Sequence, residues 1–172
     1  MDITIIIFLL GGLFLGWSLG ANDAANVFGT AVGTRMVRFK TAAIVCSVFV
    51  ILGAIISGAG TTETLGKLGA INALPGAFAA CVAAGLSVYL MTKAGLPVST
   101  TQAIVGAIVG WNLYTGSATN IKVLITILGT WVLCPVIAGL IAMGFFTLTK
   151  NFILKRKIHI LRLDAYTRTA LL

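Results

Sequence analysis

Three hydroxyls and a primary amide stand in a row at Ser99-Thr100-Thr101-Gln102. They follow Gly95-Leu96-Pro97-Val98 and precede a run of apolar and small residues, Ala103 to Gly110. Proline fixes φ and disfavours helix at the residue before it, and Ser and Thr are good N-caps. The stretch therefore predicts a chain break over 95–98 and a new helix starting near Ser99. The start of such a helix offers backbone N–H groups, hydroxyls and an amide to an anion without any cationic side chain.

A second stretch has the same plan. Asn22-Asp23-Ala24-Ala25-Asn26-Val27-Phe28-Gly29-Thr30-Ala31-Val32-Gly33 starts polar and ends apolar. With Asn22 set against Ser99, Gly29 and Gly33 match Gly106 and Gly110. Each run is about 12 residues, or about 18 Å of helix, against about 30 Å of bilayer core. Two half-length helices with polar tips among full-length spans predict a site near the membrane midplane. Asp23 would be costly there, about 2.5–3.5 kcal/mol on insertion scales, and is a functional candidate by default. Capping is the plainer role for Asn22 and Asp23. A cap alone would not need Asn22, Asp23 and Asn26 together, and clustered oxygen ligands suit a hard cation. Ser99, Thr100 and Thr101 could likewise bond back to their own helix. Successive helical positions turn by about 100°, however, so four consecutive polar residues cannot all face one neighbour. The reading is substrate contact at Asn22, Ser99, Thr100, Thr101 and Gln102, and cation contact at Asn22, Asp23 and Asn26.

The rest of the chain must hold these two clusters in a membrane. Of 172 residues, 59% are hydrophobic and only 9% charged, which excludes a soluble domain and points to an all-α integral membrane protein. Spans are expected over about 3–19, 41–58, 76–92 and 121–148, with Pro135 kinking the last. Together with the half-helices this makes about five transmembrane segments. Gly12, Gly16 and Gly20 form a smooth face suited to close helix packing, residues 58–67 read as a polar connection, and Trp111-Asn112-Leu113-Tyr114 reads as an interfacial belt. The start of the chain lacks a basic n-region and is expected to be an anchor, not a cleaved signal.

The net charge of +8 raises the question of nucleic acid, but the basic residues lie between apolar spans or in a C-terminal tail. Orientation explains them better. With five crossings and the N-terminus outside, Arg35, Arg38, Lys40, Lys93, Lys150, Lys155, Arg156, Lys157 and Arg162 face the cytoplasm, and only Lys67 and Lys122 face out. A re-entrant Ser99–Gly110 segment would break that parity. Cys46, Cys81 and Cys134 are isolated and His159 has no partner histidine, so a resident metal or cofactor is not expected. Hydrolysis at Ser99 or Thr100 would need a base that the adjoining spans lack.

No Lys or Arg occurs before Arg35 or between Gly95 and Asn120. An anion held at the two clusters would need a bound cation as compensation, and each ion would lower the cost of burying the other. That describes anion–cation symport.

The residues just discussed carry a family resemblance. Gly20 to Gly33 resembles the repeated motif of the inorganic phosphate transporter family, and Gly95-Leu96-Pro97-Val98-Ser99-Thr100-Thr101-Gln102 resembles that family's second motif. The resemblance implies phosphate uptake driven by sodium or protons across the plasma membrane. It also implies two inverted halves, of which this chain matches the N-terminal one over residues 1–162. Residues 163–172 would be a tail or the start of a second half. On that basis the expected partners are inorganic phosphate, a coupling Na+ or H+, the lipid bilayer, and a second repeat half or second protomer. A permease for sulfate or another oxyanion, and a membrane subunit that does not transport, are the alternatives.

Overall fold

A computed structural model describes residues 3–69 and 74–151, together with residues 165 and 169. It contains five α-helices: α1 (Ile3–Gly33), α2 (Phe39–Leu68), α3 (Leu74–Lys93), α4 (Thr100–Thr115) and α5 (Ile121–Thr149). The described residues include no strand. The expected all-α membrane class holds, and α1, α2, α3 and α5 are each long and apolar enough to cross a bilayer. Most of the tail expected at 150–172, and residues 71–73, lie outside the described residues. The chain divides into two compact units, Met1–Val123 and Leu124–Leu172.

In the first unit, α1 and α3 run parallel. Phe8 meets Phe78 edge-on, Gly85 lies against Phe14 and Leu15, and Thr92 reaches Asn22. A methyl group at Gly85 would stand 2.8 Å from the Phe14 ring and 3.3 Å from the Leu15 Cα, so only glycine permits this approach. α4 then runs back along α3. Trp111 packs on Gly76 and Asn112 on Gly69, at the opposite end from the 94–99 turn. Val88, Ala84 and Ala80 of α3 and Ile108 and Val105 of α4 are buried. Asn120 N–H donates to Leu68 C=O (3.0 Å), tying the foot of this hairpin to the end of α2.

Lengths decide what the hairpin does. At 1.5 Å per residue the 31 residues of α1 extend about 46 Å and the 30 of α2 about 45 Å, enough for a bilayer with its headgroups. The 16 residues of α4 give about 24 Å. The hairpin tip meets α1 at Asn22, eleven residues short of the end of α1. α3 and α4 thus enter and leave on one side of the membrane. This corrects the parity argument above. A hairpin made of both helices removes two crossings, not one, so Arg35, Arg38 and Lys40 stay on one side and Lys67 and the start of α5 on the other. Lys93 ends α3 at the hairpin tip, just before the break expected at 95–98.

Three further expectations are corrected. The break between 19 and 22 does not form, because that segment contains no proline and its polar side chains find partners across the helix interface; α1 is continuous. The polar stretch 58–67 is the last part of α2, where Thr62 and Thr64 bond back to carbonyls four residues earlier and Glu63 pairs with Lys67. Among the described residues the Gly12, Gly16, Gly20 face has no neighbour within 4 Å of where a Cβ would stand; the buried residues of α1 are Gly11, Ser18 and Asn22. Of the expected aromatic belt, Tyr114 is exposed while Asn112 is fully buried and donates to Thr119 (3.0 Å). In the second unit, α5 passes through Pro135 as one helix with no buried residue.

The α1–α3 contact predicts that Gly85→Leu lowers stability by about 1–3 kcal/mol through overpacking. Gly16→Ala, with open space around it, should change little or gain up to about 1 kcal/mol from helix propensity. Thermal melts of the two variants in one detergent check this.

Candidate functional site

The two polar clusters meet. Gly95, with φ +74°, ends α3 in a left-handed turn in which Leu96 N–H donates to Met91 C=O (2.9 Å). Pro97 holds the chain extended, and Ser99 caps α4, its Oγ accepting from Gln102 N–H (3.3 Å). This tip lies against α1 and is fastened there by one side chain. The Asn22 amide donates to Val98 C=O (2.6 Å) and to Asp23 Oδ1 (2.8 Å), and its oxygen accepts from Val98 N–H (3.4 Å) and Thr92 Oγ1 (3.2 Å). Asn22 is buried and its donors are committed. Its place is a clasp across the unwound backbone.

Thr100, buried in the first turn of α4, donates its hydroxyl to Asp23, 3.2 Å from each carboxylate oxygen. The rest of the cluster faces outward. Ser99 Oγ and Thr101 Oγ1 lie 2.9 Å apart and, like Gln102, are exposed. By helix geometry the first amides of α4 also point out of the helix end. Asn26 is exposed one turn beyond Asn22 on α1. Half-buried Asp23 opens on its other side into a cleft of about 770 Å³ between α1 and α2, lined by groups such as Gly20, Val27, Ala43 and Ser47. Among the described residues no cluster of His, Cys, Asp and Glu could hold a metal.

Nothing in the residue pattern marks Thr92 or the Val98 backbone, because their contribution depends on α3 lying parallel to α1. Proximity of Asp23 to Thr100 was implied only by the similarity of the two motifs.

A polar site built from a helix start and a carboxylate, within a set of membrane helices and a re-entrant hairpin, is the kind of centre a solute carrier uses. Comparison with known proteins agrees. Residues 19–169 match the model of the phosphate transporter family. A protein of Thermococcus kodakarensis named as a phosphate permease is 35% identical over 91% of this chain and 41% of its own length. A sodium-dependent phosphate transporter of Plasmodium falciparum is 34% identical over 84% of this chain and 23% of its own. The solved structure titled "The sodium-dependent phosphate transporter" superposes with a TM-score of 0.80 at 32% identity, covering 91% of this chain and 41% of that one. The chain is a multi-pass membrane protein and belongs to the phosphate transporter family. It spans about two fifths of the length of the permease and of the solved transporter.

The clasp predicts that Asn22→Leu frees the hairpin tip. An unsatisfied buried backbone group costs about 1–3 kcal/mol, so amide exchange at 96–99 should rise by about 5- to 150-fold. Mass-spectrometric hydrogen exchange of parent and variant in detergent checks it, with α5 as internal reference.

Proposed function

We propose that this chain forms part of a cation-coupled phosphate symporter, with phosphate at the exposed start of α4 and the coupling cation beside Asp23. Thr101, Ser99, Gln102 and the first amides of α4 are the anion's donors. Asp23 and the exposed Asn26 supply oxygen to the cation. The observation that carries this reading is the pair of contacts from Thr100 to both Asp23 oxygens, which sets the carboxylate beside the start of the anion-facing helix. Opposite charges bound side by side reduce each other's burial cost, so binding of one favours the other. The cleft between α1 and α2 gives Asp23 a route to the surface. Names of relatives support phosphate as the solute and sodium as the cation.

The coverage of only two fifths of the solved transporter favours a second reading, in which this chain moves solute only together with a further polypeptide. Uptake of labelled phosphate into proteoliposomes at fixed pH, with sodium replaced by choline, tests the proposal. It is run with this chain alone and with the remaining segment of a longer relative. Sodium-dependent uptake in either arm supports the proposal and distinguishes the two readings; none in both overturns it. Excess sulfate competing as well as phosphate would make the protein a general oxyanion carrier.

Two variants localise the ions. Asp23→Asn should remove the sodium dependence of phosphate binding while leaving the melting temperature near the parent's. Thr101→Val should weaken phosphate binding by about 10- to 150-fold, the loss of a hydrogen bond to a charged group worth about 1.5–3 kcal/mol; Thr101→Ser should cost far less. Isotherms in which Val binds as the parent does and Ser does not would remove the anion site.

A further inference from the structure

On the α1–α3 pair a second polar feature adjoins the site, beginning one residue beyond Thr92. Tyr89 of α3 packs on Trp17 of α1, ring centroids 5.6 Å apart, and Phe14 stacks on Trp17 at 6.2 Å. Lys93, one turn on, places its ammonium 5.8 Å from the Tyr89 centroid. Trp17 and Lys93 are exposed.

Depth makes this unusual. Trp17 stands near the middle of α1, a helix as long as a bilayer is thick. Lys93 lies four residues, about 6 Å, beyond Tyr89 and next to Thr92, which meets Asn22 of α1. Its ammonium folds back over Tyr89, toward the level of Trp17, instead of reaching for the interface as a lipid-facing lysine does. A lysine facing lipid at that depth costs about 2.5–3.5 kcal/mol, and intramembrane cations pair with a carboxylate or face a cavity. Among the described residues the carboxylates are Glu63, which pairs with Lys67, and Asp23, which takes hydrogen bonds from the neutral Asn22 and Thr100 and forms no ion pair with Lys93. The counter-charge for Lys93 must come from outside them.

We propose that the Trp17–Tyr89–Lys93 face is an interface inside the membrane, covered by a transmembrane helix that carries an Asp or Glu near its midpoint. The aromatic rings give that helix a flat apolar seat, and the carboxylate meets the ammonium. A second copy of this chain is the poorer occupant, since a two-fold contact would bring two lysines together. The relatives extend well beyond the segment matched here, which leaves ample chain for such a helix, on the same or another polypeptide. The interface does not depend on phosphate binding.

Photo-crosslinking in the membranes of the cells that make the protein tests this. The substitution is Trp17→p-benzoylphenylalanine, with Leu13→p-benzoylphenylalanine, one turn below and exposed, taking its place should the first not insert. Adducts are mapped by mass spectrometry in the parent, Lys93→Gln and Lys67→Gln backgrounds. The expected adduct lies within one helical turn of an Asp or Glu in the middle of a transmembrane segment. Lys93→Gln should lower its yield about fivefold or more, as loss of one intramembrane polar contact would, and Lys67→Gln should leave it unchanged. Adducts to lipid alone, to a second copy of this chain or to a helix without a central carboxylate overturn the proposal, as does an equal yield in Lys93→Gln.

Discussion

One side chain makes the rest of the arrangement possible. A helix that begins inside a bilayer exposes unwound backbone where no water can satisfy it, and each unmet N–H or C=O there costs several kcal/mol. Asn22 meets both groups of Val98 with a single amide. The clasp is short, so α3 must run close along α1, which the glycine at 85 and the small side chains of that interface allow. The left-handed turn at Gly95 then aims the chain back, and Ser99 starts α4 beside Asp23. Packing, turn and capping all serve to set one helix start against one carboxylate.

Much of this was legible in the residues. Pro97 and the run Ser99–Gln102 gave the start of α4, confirmed by the Ser99 cap, and the hydrophobic spans gave the helices. The match between 22–33 and 99–110 also brought the right clusters together, although it misled about structure. Only the second copy begins a helix, because only it has a proline ahead of it. Asn22 and Asp23 sit within a continuous helix, and their neighbours come from α3, α4 and the turn between them. A sequence pattern shows which residues are polar, but not whether the partner lies along the helix or across it. The same limit hid Thr92 and the Val98 backbone.

The glycines repeat the lesson. Gly12, Gly16 and Gly20 have the spacing of a packing face and meet nothing among the described residues, whereas Gly11, one residue out of phase, lies under Phe78. Spacing identifies a smooth helix face; which face is used depends on where the neighbouring helix places its bulky rings.

The contact of Thr100 with Asp23 has a consequence for the kind of coupling the site can support. A hydroxyl has one hydrogen. While the carboxylate is ionised, that hydrogen is committed to it, and what Thr100 presents to any bound ion is a pair of lone-pair electrons. On the proposed reading, Thr100 would then stand with the cation's ligands, and the anion would draw its donors from Ser99, Thr101 and Gln102. A proton on Asp23 reverses this: the acid can donate to Thr100, and the freed hydrogen can turn toward an anion. Sodium and a proton are therefore not interchangeable passengers, because they would leave the same threonine oriented in opposite directions.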